Sequence, residues 1–319
     1  MDTQGEKLIS SERYPQKARG MLMMAIASTC FSLGGLLIKM IPWNPLTING
    51  VRNLIAACVI GGFIRLTQHP LKWNFTVLTG AVCMAGVTTF FTIANKLTTA
   101  GNAIVLQYSA PVWIILLSFL FFRDKPDRSQ GITIGFVLAG ILCFFFDSLS
   151  AGKILGDLLA LLSGLFYAGM FMLNRFEKGD ALSSMFFGQL LCGIFLSPFL
   201  IRETVFTPGV LTAVFVLGAV QVGLAYIFFS IGTRLTDPVS ASIINAVEPI
   251  LNPILVAVFY GELPALLSLF GAAVVIGSIL FYNLRSLSQA WPGARPTVQE
   301  PVGSTVPINS GLKGYRCPG

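Results

Sequence analysis

A short polar stretch of the chain, KLTTAGNA at Lys96–Ala103, returns in related form as RLTDPVSA at Arg234–Ala241. The offset of 138 residues between the two also aligns Pro111 with Pro249. Further matches at this offset or at 136 are Asp124-Lys125-Pro126 with Glu262-Leu263-Pro264, Gly20 with Gly156, Phe31 with Tyr167, and Lys39 with Arg175. The chain therefore consists of two related halves.

The sequence around these matches is strongly apolar. Of 319 residues, 54% are hydrophobic and only 11% are charged. Apolar runs of about 20 residues can each span a bilayer as a helix, and short polar or proline-containing connections separate the runs. We predict an all-α integral membrane protein with ten spans, at Gly20–Lys39, Thr47–Leu66, Asn74–Ala94, Gly101–Phe122, Gln130–Phe146, Leu155–Leu173, Leu182–Leu200, Val210–Ser230, Val239–Tyr260 and Ala265–Leu284.

The number of spans in each half determines how the halves are related. Span four matches span nine, and span one matches span six, so equivalent helices are five spans apart. Five is odd, so equivalent helices must cross the membrane in opposite directions. This 5+5 inverted repeat is typical of secondary transporters, which bind their substrate near the midplane between the halves.

Charged residues predict the orientation of the chain. Of the 21 Lys and Arg, 16 lie in the termini and loops on the side of the N-terminus. Cytoplasmic loops carry such an excess, so we expect both termini in the cytoplasm. Residues 1–19 form a polar cytoplasmic segment in this prediction. Residues 285–319, rich in Pro and Gly, form a disordered cytoplasmic tail.

Glu248 is the first candidate for substrate binding. It lies about nine residues past the inner end of span nine, which places it near mid-membrane at about 1.5 Å per residue. A carboxylate at that depth is costly and usually functional. Asn245, Glu248 and Asn252 have i, i+3, i+7 spacing and are expected to share one helix face. Glu248 could bind a protonated amine, alternate between proton and substrate, or remain permanently protonated.

Prolines inside spans four and nine are expected to shape the cavity. Proline lacks an N–H, so Pro111 and Pro249 free the carbonyls of Gln107 and Asn245. Pro253 frees another carbonyl in span nine. Such carbonyls need a partner at membrane depth, such as a side chain, water or substrate. A simple packing kink is the alternative.

Arg52 could bind a substrate carboxylate with neighbouring Asn53, or its side chain could reach the outer headgroups. Aromatic and amide side chains in spans four, six and eight are further lining candidates, namely Gln107, Tyr108, Trp113, Tyr167, Gln221 and Tyr226. Lys39, Trp43 and Trp73 are predicted as interfacial anchors, and Asp157 as a solvated loop residue. The six cysteines show neither metal-ligand nor disulfide spacing.

The motifs together resemble the EamA-type branch of the drug/metabolite transporter superfamily. The resemblance rests on the five-plus-five repeat, Arg52 in span two, NAIVLQYSAP at Asn102–Pro111, and Glu248-Pro249 followed by Gly261-Glu262. It covers two EamA-like repeats at residues 20–147 and 155–284. It implies a secondary carrier of small solutes that uses no nucleotide hydrolysis, and many such carriers are exporters.

We therefore predict a transporter of a small metabolite that works by alternating access. An amino acid or amino-acid derivative fits if Arg52 and Glu248 both face the cavity, and export is favoured by the resemblance alone. Glu248 is also the candidate for proton coupling, and we expect no cofactor, no metal and no catalytic residue. A broad-specificity exporter of cationic drugs is the alternative within transport; a membrane enzyme, a lipid-handling protein or a non-transporting scaffold are the alternatives outside it. The expected partners are the substrate and the bilayer, not nucleic acid. The sequence is also compatible with a homodimer.

Overall fold

The chain folds as ten membrane-spanning helical segments in two five-helix halves. The computed structural model describes residues 3–123, 128–173, 178–236 and 238–290. In those ranges, seven helices are long and apolar enough to cross a membrane, and three shorter apolar helices complete the ten spans. The prediction of an all-helical membrane protein with ten spans is confirmed.

Four of the described spans are not single α-helices. Span four consists of α4 and α5, span seven of α8 and a 3-10 helix at Ser197–Arg202, span eight of α9, a π-helical segment and α10, and span nine of α11 and α12. In the described residues the α-helices are α1 Thr3–Met40, α2 Pro45–Thr67, α3 Phe75–Leu97, α4 Ala100–Gln107, α5 Ala110–Phe122, α6 Arg128–Ala151, α7 Ile154–Leu173, α8 Ala181–Leu196, α9 Pro208–Val216, α10 Ala225–Leu235, α11 Pro238–Asn245, α12 Val247–Tyr260 and α13 Leu266–Ala290.

Capping side chains set where several spans begin. The side chains of Asn44, Asn74, Thr99, Asp180 and Thr207 each accept a hydrogen bond from a backbone N–H in the first turn of the helix that follows. These bonds satisfy N–H groups that have no partner within the helix. The short polar connections seen in the sequence are therefore helix starts as well as turns.

The inverted repeat is visible in the packing of two equivalent glycines. Gly20 of α1 lies directly against Leu235 and Thr236, and Gly156 of α7 lies directly against Leu97 and Thr98. A Cβ at either glycine would overlap these neighbours. Each Leu-Thr pair of the repeat thus packs against the first helix of the opposite half: Leu235-Thr236 against α1 and Leu97-Thr98 against α7.

The two halves interlock rather than sit side by side. Helix α1 packs against α10 and α12 of the second half, and its equivalent α7 packs against α3, α4 and α5 of the first. Helices α2 and α8 pack against each other, as do α6 and α13. The centre of the molecule is therefore built from both halves.

The ends of the chain differ in part from expectation. Helix α1 begins at Thr3, so the polar segment before Gly20 continues the first span as helix. Helix α13 ends at Ala290, past the predicted start of the tail at Arg285. Extending a helix that has already nucleated costs little, so the prediction of disorder was wrong for residues 285–290. Residues 291–319 lie outside the described residues.

Candidate substrate site

Spans four and nine are each broken within the span. Helix α4 ends at Gln107 and α5 resumes at Ala110, while α11 ends at Asn245 and α12 resumes at Val247. The breaks lie just before Pro111 and Pro249, the prolines aligned by the repeat. Each proline lacks the N–H that would continue the hydrogen-bond ladder. The carbonyls of Gln107 and Asn245, one in each half, therefore lack their helical partner at equivalent positions of the repeat.

The hydroxyl of Tyr108 joins the two breaks. It lies 2.9 Å from the carbonyl oxygen of Asn245, the group that Pro249 leaves without a helical partner. It also lies 2.9 Å from Oε2 of Glu248 and accepts a hydrogen bond of 2.7 Å from Nδ2 of Asn245. The Asn245 carbonyl thus has a side-chain partner. On the other side, the freed carbonyl of Gln107 packs against Gly164.

A small cavity of about 40 Å³ lies behind this junction. Both buried charges predicted as ligand groups line it: Arg52 from α2 and Glu248 from α12. Amide and aromatic side chains from spans one, four, six and eight complete much of the wall, namely Phe31, Gln107, Tyr108, Tyr167, Gln221 and Tyr226. A carboxylate and a guanidinium from opposite halves therefore meet one central space.

The described hydrogen bonds of the Arg52 side chain are both made by one nitrogen atom, Nη2. Its Nη2 donates to Oδ1 of Asn49 at 3.0 Å and to the carbonyl of Thr88 at 3.1 Å, while its Nε has no hydrogen-bond partner in the described structure. The residue is 2% exposed, so the alternative in which it reaches the headgroups is wrong. Asn53 lies behind it and donates to Asn49 and to Thr88. Asn53 supports this network and does not line the cavity.

Gln221 is oriented by an irregular stretch of span eight. It lies within the π-helical segment Leu217–Leu224, and such segments are often found at functional sites. Its Nε2 lies 3.4 Å from the carbonyl of Phe31, and its Oε1 has no partner in the described structure. Gly218 and Gly223 let this segment pack closely against α2. These glycines are the one sequence feature that marks the irregular stretch.

Besides Asn53, three predicted site residues line neither this cavity nor the larger one next to it. Asn252 is fully buried against Gly35 of α1, Pro253 packs near Gly101, and Trp113 is partly buried in α5. The expectation that Asn252 continues the face of Asn245 and Glu248 assumed one continuous helix. The break at Ala246 interrupts that spacing.

A second cavity of about 900 Å³ continues from the junction toward the face where α1 begins, here called the N-terminal face. Tyr108 and Tyr167 line both cavities, so they form the boundary between them. Pro111 and Pro249 line the larger cavity, as does Asn245. At its far end, side chains from the helix ends of the N-terminal face contribute to the wall, namely Gln130, Asp180, Arg234 and Tyr282.

Asp180 also connects the halves on that face. Its Oδ2 lies 3.0 Å from Nε2 of His69 and accepts a hydrogen bond of 2.8 Å from the backbone of Ser183. Burial alone would raise the pKa of the Asp180 carboxyl, but the hydrogen bonds with Ser183 and His69 outweigh it and lower that pKa. The carboxylate is therefore stabilised in its charged form.

The opposite face is closed by contacts between the halves. Lys39 Nζ lies 2.8 Å from Oε2 of Glu262 and donates to the carbonyl of Thr98, and Oε1 of Glu262 accepts from the backbone of Ala100. Trp43 Nε1 donates to the carbonyl of Val205 at 2.7 Å. The molecule is thus closed on this face and hollow toward the N-terminal face.

These contacts correct three predictions. Lys39 and Trp43 are inter-half contacts rather than anchors, because the ion pair and the indole hydrogen bond are formed within the protein. Trp73, at 74% exposure, remains available as an anchor. Asp157 is fully buried, and it accepts a hydrogen bond of 2.6 Å from Oγ1 of Thr98, so it is not a solvated loop residue.

Neutralising Glu262 is expected to open the closed face. Glu262→Gln removes an ion pair and weakens the bond to Ala100, and charge-assisted hydrogen bonds contribute roughly 1.5–3 kcal/mol. We expect about a tenfold shift toward conformations open on this face. Spin labels at the exposed Met40 and Leu263 would report it as a longer distance between the labels. The exchange Lys39→Glu with Glu262→Lys restores the ion pair but neither the donor to Thr98 nor the acceptor for Ala100, so it should recover the original distance distribution only in part. The same distribution in Glu262→Gln as in the native chain would contradict this role.

Two interlocked five-helix halves around central cavities that are closed at one face are typical of membrane transporters. The profile of the EamA-like transporter family matches residues 18–146 and again 154–284. The chain belongs to the EamA-like transporter family, within the drug/metabolite transporter superfamily. This confirms the resemblance derived from the repeat and its motifs.

Proteins similar to this chain in sequence are named as transporters. The chain is 26% identical over 249 residues to the Uncharacterized transporter YwfM of Bacillus subtilis (strain 168), covering 74% of this chain and 83% of the relative. It is 25% identical over 199 residues to an Uncharacterized transporter of Archaeoglobus fulgidus, covering 60% of this chain and 72% of the relative. A solved crystal structure with 18% sequence identity shares the fold, with a TM-score of 0.59 over 84% of this chain and 98% of that one.

Proposed function

We propose that this transporter moves an amino acid or an amino-acid derivative by alternating access. The observation that carries the proposal is that a basic and an acidic side chain, Arg52 and Glu248, are both buried and line one small cavity between the halves. Arg52 has an N–H without a partner, which suits a substrate carboxylate. Glu248, together with the unpartnered Oε1 of Gln221, suits a substrate ammonium group.

The sizes of the two cavities agree with this division of roles. A cavity needs roughly 10–15 Å³ to hold one water molecule, so the small cavity of about 40 Å³ accommodates only a few atoms. The charged end of an amino acid would occupy the small cavity, and its side chain would extend past Tyr108 and Tyr167. The larger cavity offers apolar walls there, including Met24, Met170 and Phe229.

Export by proton exchange is the proposed direction and energy source. The excess of Lys and Arg on the N-terminal face favours a cytoplasmic location for it. The larger cavity would then load substrate from the cytoplasm. Glu248 would release a proton as it binds the substrate ammonium group, and would take up a proton after the substrate leaves on the other side.

Export of cationic drugs is the second candidate, and the larger cavity favours it. A space of about 900 Å³ with apolar walls is within the range of pockets for drug-sized ligands. In that case the substrate would need Glu248 and the aromatic walls, and it would not need Arg52. The two candidates therefore differ in their demand for a carboxylate on the ligand.

Ligand-dependent stabilisation of the purified protein tests the proposal. We expect amino acids to raise the temperature of unfolding, and amines without a carboxylate or carboxylates without an amine to have much smaller effects. Glu248→Gln should abolish the stabilisation by amino acids. A matched variant, Tyr260→Phe, lies on the exposed surface of the same helix and should keep it. Stabilisation by cationic drugs and none by amino acids would favour the second candidate instead.

A further inference from the structure

The hydroxyl group of Tyr108 lies within hydrogen-bond distance of two acceptor oxygen atoms but has only one hydrogen to donate. A phenol has one hydrogen to donate and two lone pairs that accept. Its neighbours are Nδ2 of Asn245 at 2.7 Å, the Asn245 carbonyl at 2.9 Å and Oε2 of Glu248 at 2.9 Å. The amide orientation of Asn245 is consistent, because its Oδ1 accepts from Ser28 at 3.2 Å. The Asn245 amide thus donates to the phenol oxygen. The Asn245 carbonyl oxygen and Oε2 of Glu248 are then the two possible acceptors for the phenol hydrogen.

The protonation state of Glu248 decides whether both oxygen atoms can be satisfied. An ionised carboxylate only accepts, so it competes with the Asn245 carbonyl for the single phenol hydrogen. One acceptor then lacks a partner, which is unfavourable in a buried site. A protonated Glu248 can donate to the phenol oxygen instead. The phenol hydrogen is then free for the Asn245 carbonyl, and all three contacts form at once.

We propose that Tyr108 is a positioning residue that couples the proton on Glu248 to the contact between the two helix breaks. With the proton bound, Tyr108 holds the Asn245 carbonyl freed by Pro249, and so ties span four of one half to span nine of the other. When the proton leaves, Tyr108 donates its hydrogen to the Glu248 carboxylate instead, and the hydrogen bond to the Asn245 carbonyl is lost. The conformation open toward the N-terminal face is therefore favoured by a protonated Glu248.

Other ionisable groups also lie near Glu248. Arg52 on α2, Tyr167 on α7 and Tyr226 on α10 line the same cavity, so they contribute to its field. Helix α1, which packs along α12, carries Lys39, which is paired with Glu262 at the closed face, and the half-buried Cys30. In the described hydrogen bonds of Glu248, Tyr108 is the partner that also reaches the opposite break.

The inference rests on the proton-coupled part of the proposed function and needs no substrate for its test. Protein in nanodiscs would carry spin labels at Met40 and Leu263, and the distance between the labels would be measured between about pH 5 and pH 9. We expect the closed distance to lose population as pH rises. Glu248→Gln should fix the population independently of pH, because its amide keeps a donor toward Tyr108.

Two variants separate the coupling from the titration itself. Tyr108→Phe should reduce the pH-dependent change to less than half, although Glu248 can still titrate. Pro249→Ala keeps both Tyr108 and Glu248 and restores an N–H for the Asn245 carbonyl. It should also reduce the response, which a general loss of packing would not do. Tyr260→Phe, on the exposed surface of α12, should respond as the native chain does.

The outcomes are distinct. A full pH response in either Tyr108→Phe or Pro249→Ala, or a native chain without any response, overturns the role of Tyr108. A full response in Glu248→Gln overturns proton coupling through Glu248 as well. Absence of amino-acid stabilisation in the native chain would instead remove the proposed substrate and leave the pH result standing. If Tyr108→Phe does not fold, the Pro249→Ala response decides.

Discussion

Replacing Arg52 with alanine is expected to raise the amino-acid concentration for half-maximal flux about 10–100-fold. A hydrogen bond to a charged partner contributes roughly 1.5–3 kcal/mol, and 1.4 kcal/mol corresponds to a factor of ten. The guanidinium is buried and lines the central cavity, so water cannot replace it easily. The measurement is uptake of a labelled amino acid into proteoliposomes across a range of concentrations.

The choice of control matters for a buried arginine. Arg65→Ala removes an exposed arginine from the same helix and should leave flux unchanged. Arg52→Lys keeps the charge but loses the planar fork, so it should give an intermediate value. The unfolding temperature without ligand shows whether either variant at Arg52 is folded. Unchanged amino-acid flux in folded Arg52→Ala would contradict the proposed site and favour the exporter of cationic drugs.

Substituting Gly164 with valine is expected to destabilise the fold at the first helix break. A Cβ at this position would lie 2.8 Å from the carbonyl oxygen of Gln107 and 3.0 Å from Oγ of Ser109. Backbone oxygen atoms cannot move aside without shifting α4 and α5, and overpacking typically costs about 1–3 kcal/mol. The variant should unfold several degrees below the native chain and lose transport, as measured by thermal unfolding and flux.

Gly277→Val is the matched control for this substitution. Gly277 also lies in a membrane-spanning helix, α13, but no atom lies within 4 Å of a Cβ placed there. The control should therefore unfold near the native temperature. Equal unfolding temperatures for Gly164→Val and Gly277→Val would show that the break tolerates a side chain and that its close packing against α7 is not needed.

The site was predictable where its determinants are local. Prolines at equivalent positions of the repeat indicated freed carbonyls in spans four and nine, because a missing N–H acts within four residues of the chain. The full breaks in these helices were not predicted. Glu248 was identified because a carboxylate in an apolar run is unusual wherever the run lies in the fold. The placement of Asn252 was less predictable, since its assignment to the same face depended on a continuous helix.

Other features of the site depend on residues far apart in sequence. Arg52 could equally have reached the headgroups, and only the neighbouring Asn49 and the Thr88 carbonyl of α3 turn it inward. Lys39 carried the composition of an interfacial anchor, but Glu262 lies within 2.8 Å of it from the other half. Hydropathy and spacing describe one helix at a time and contain no information on such pairs.

The sequence by itself determined the class, the ten spans and the inverted repeat of this transporter. Hydropathy is a property of each run of residues, and the odd number of spans per half follows from counting. Only the tertiary structure decided that Tyr108 joins the two helix breaks, that Arg52 and Glu248 line one cavity, and that one face is closed. Those features arise from the packing of interlocked helices, where each contact depends on the depth and rotation of two spans at once.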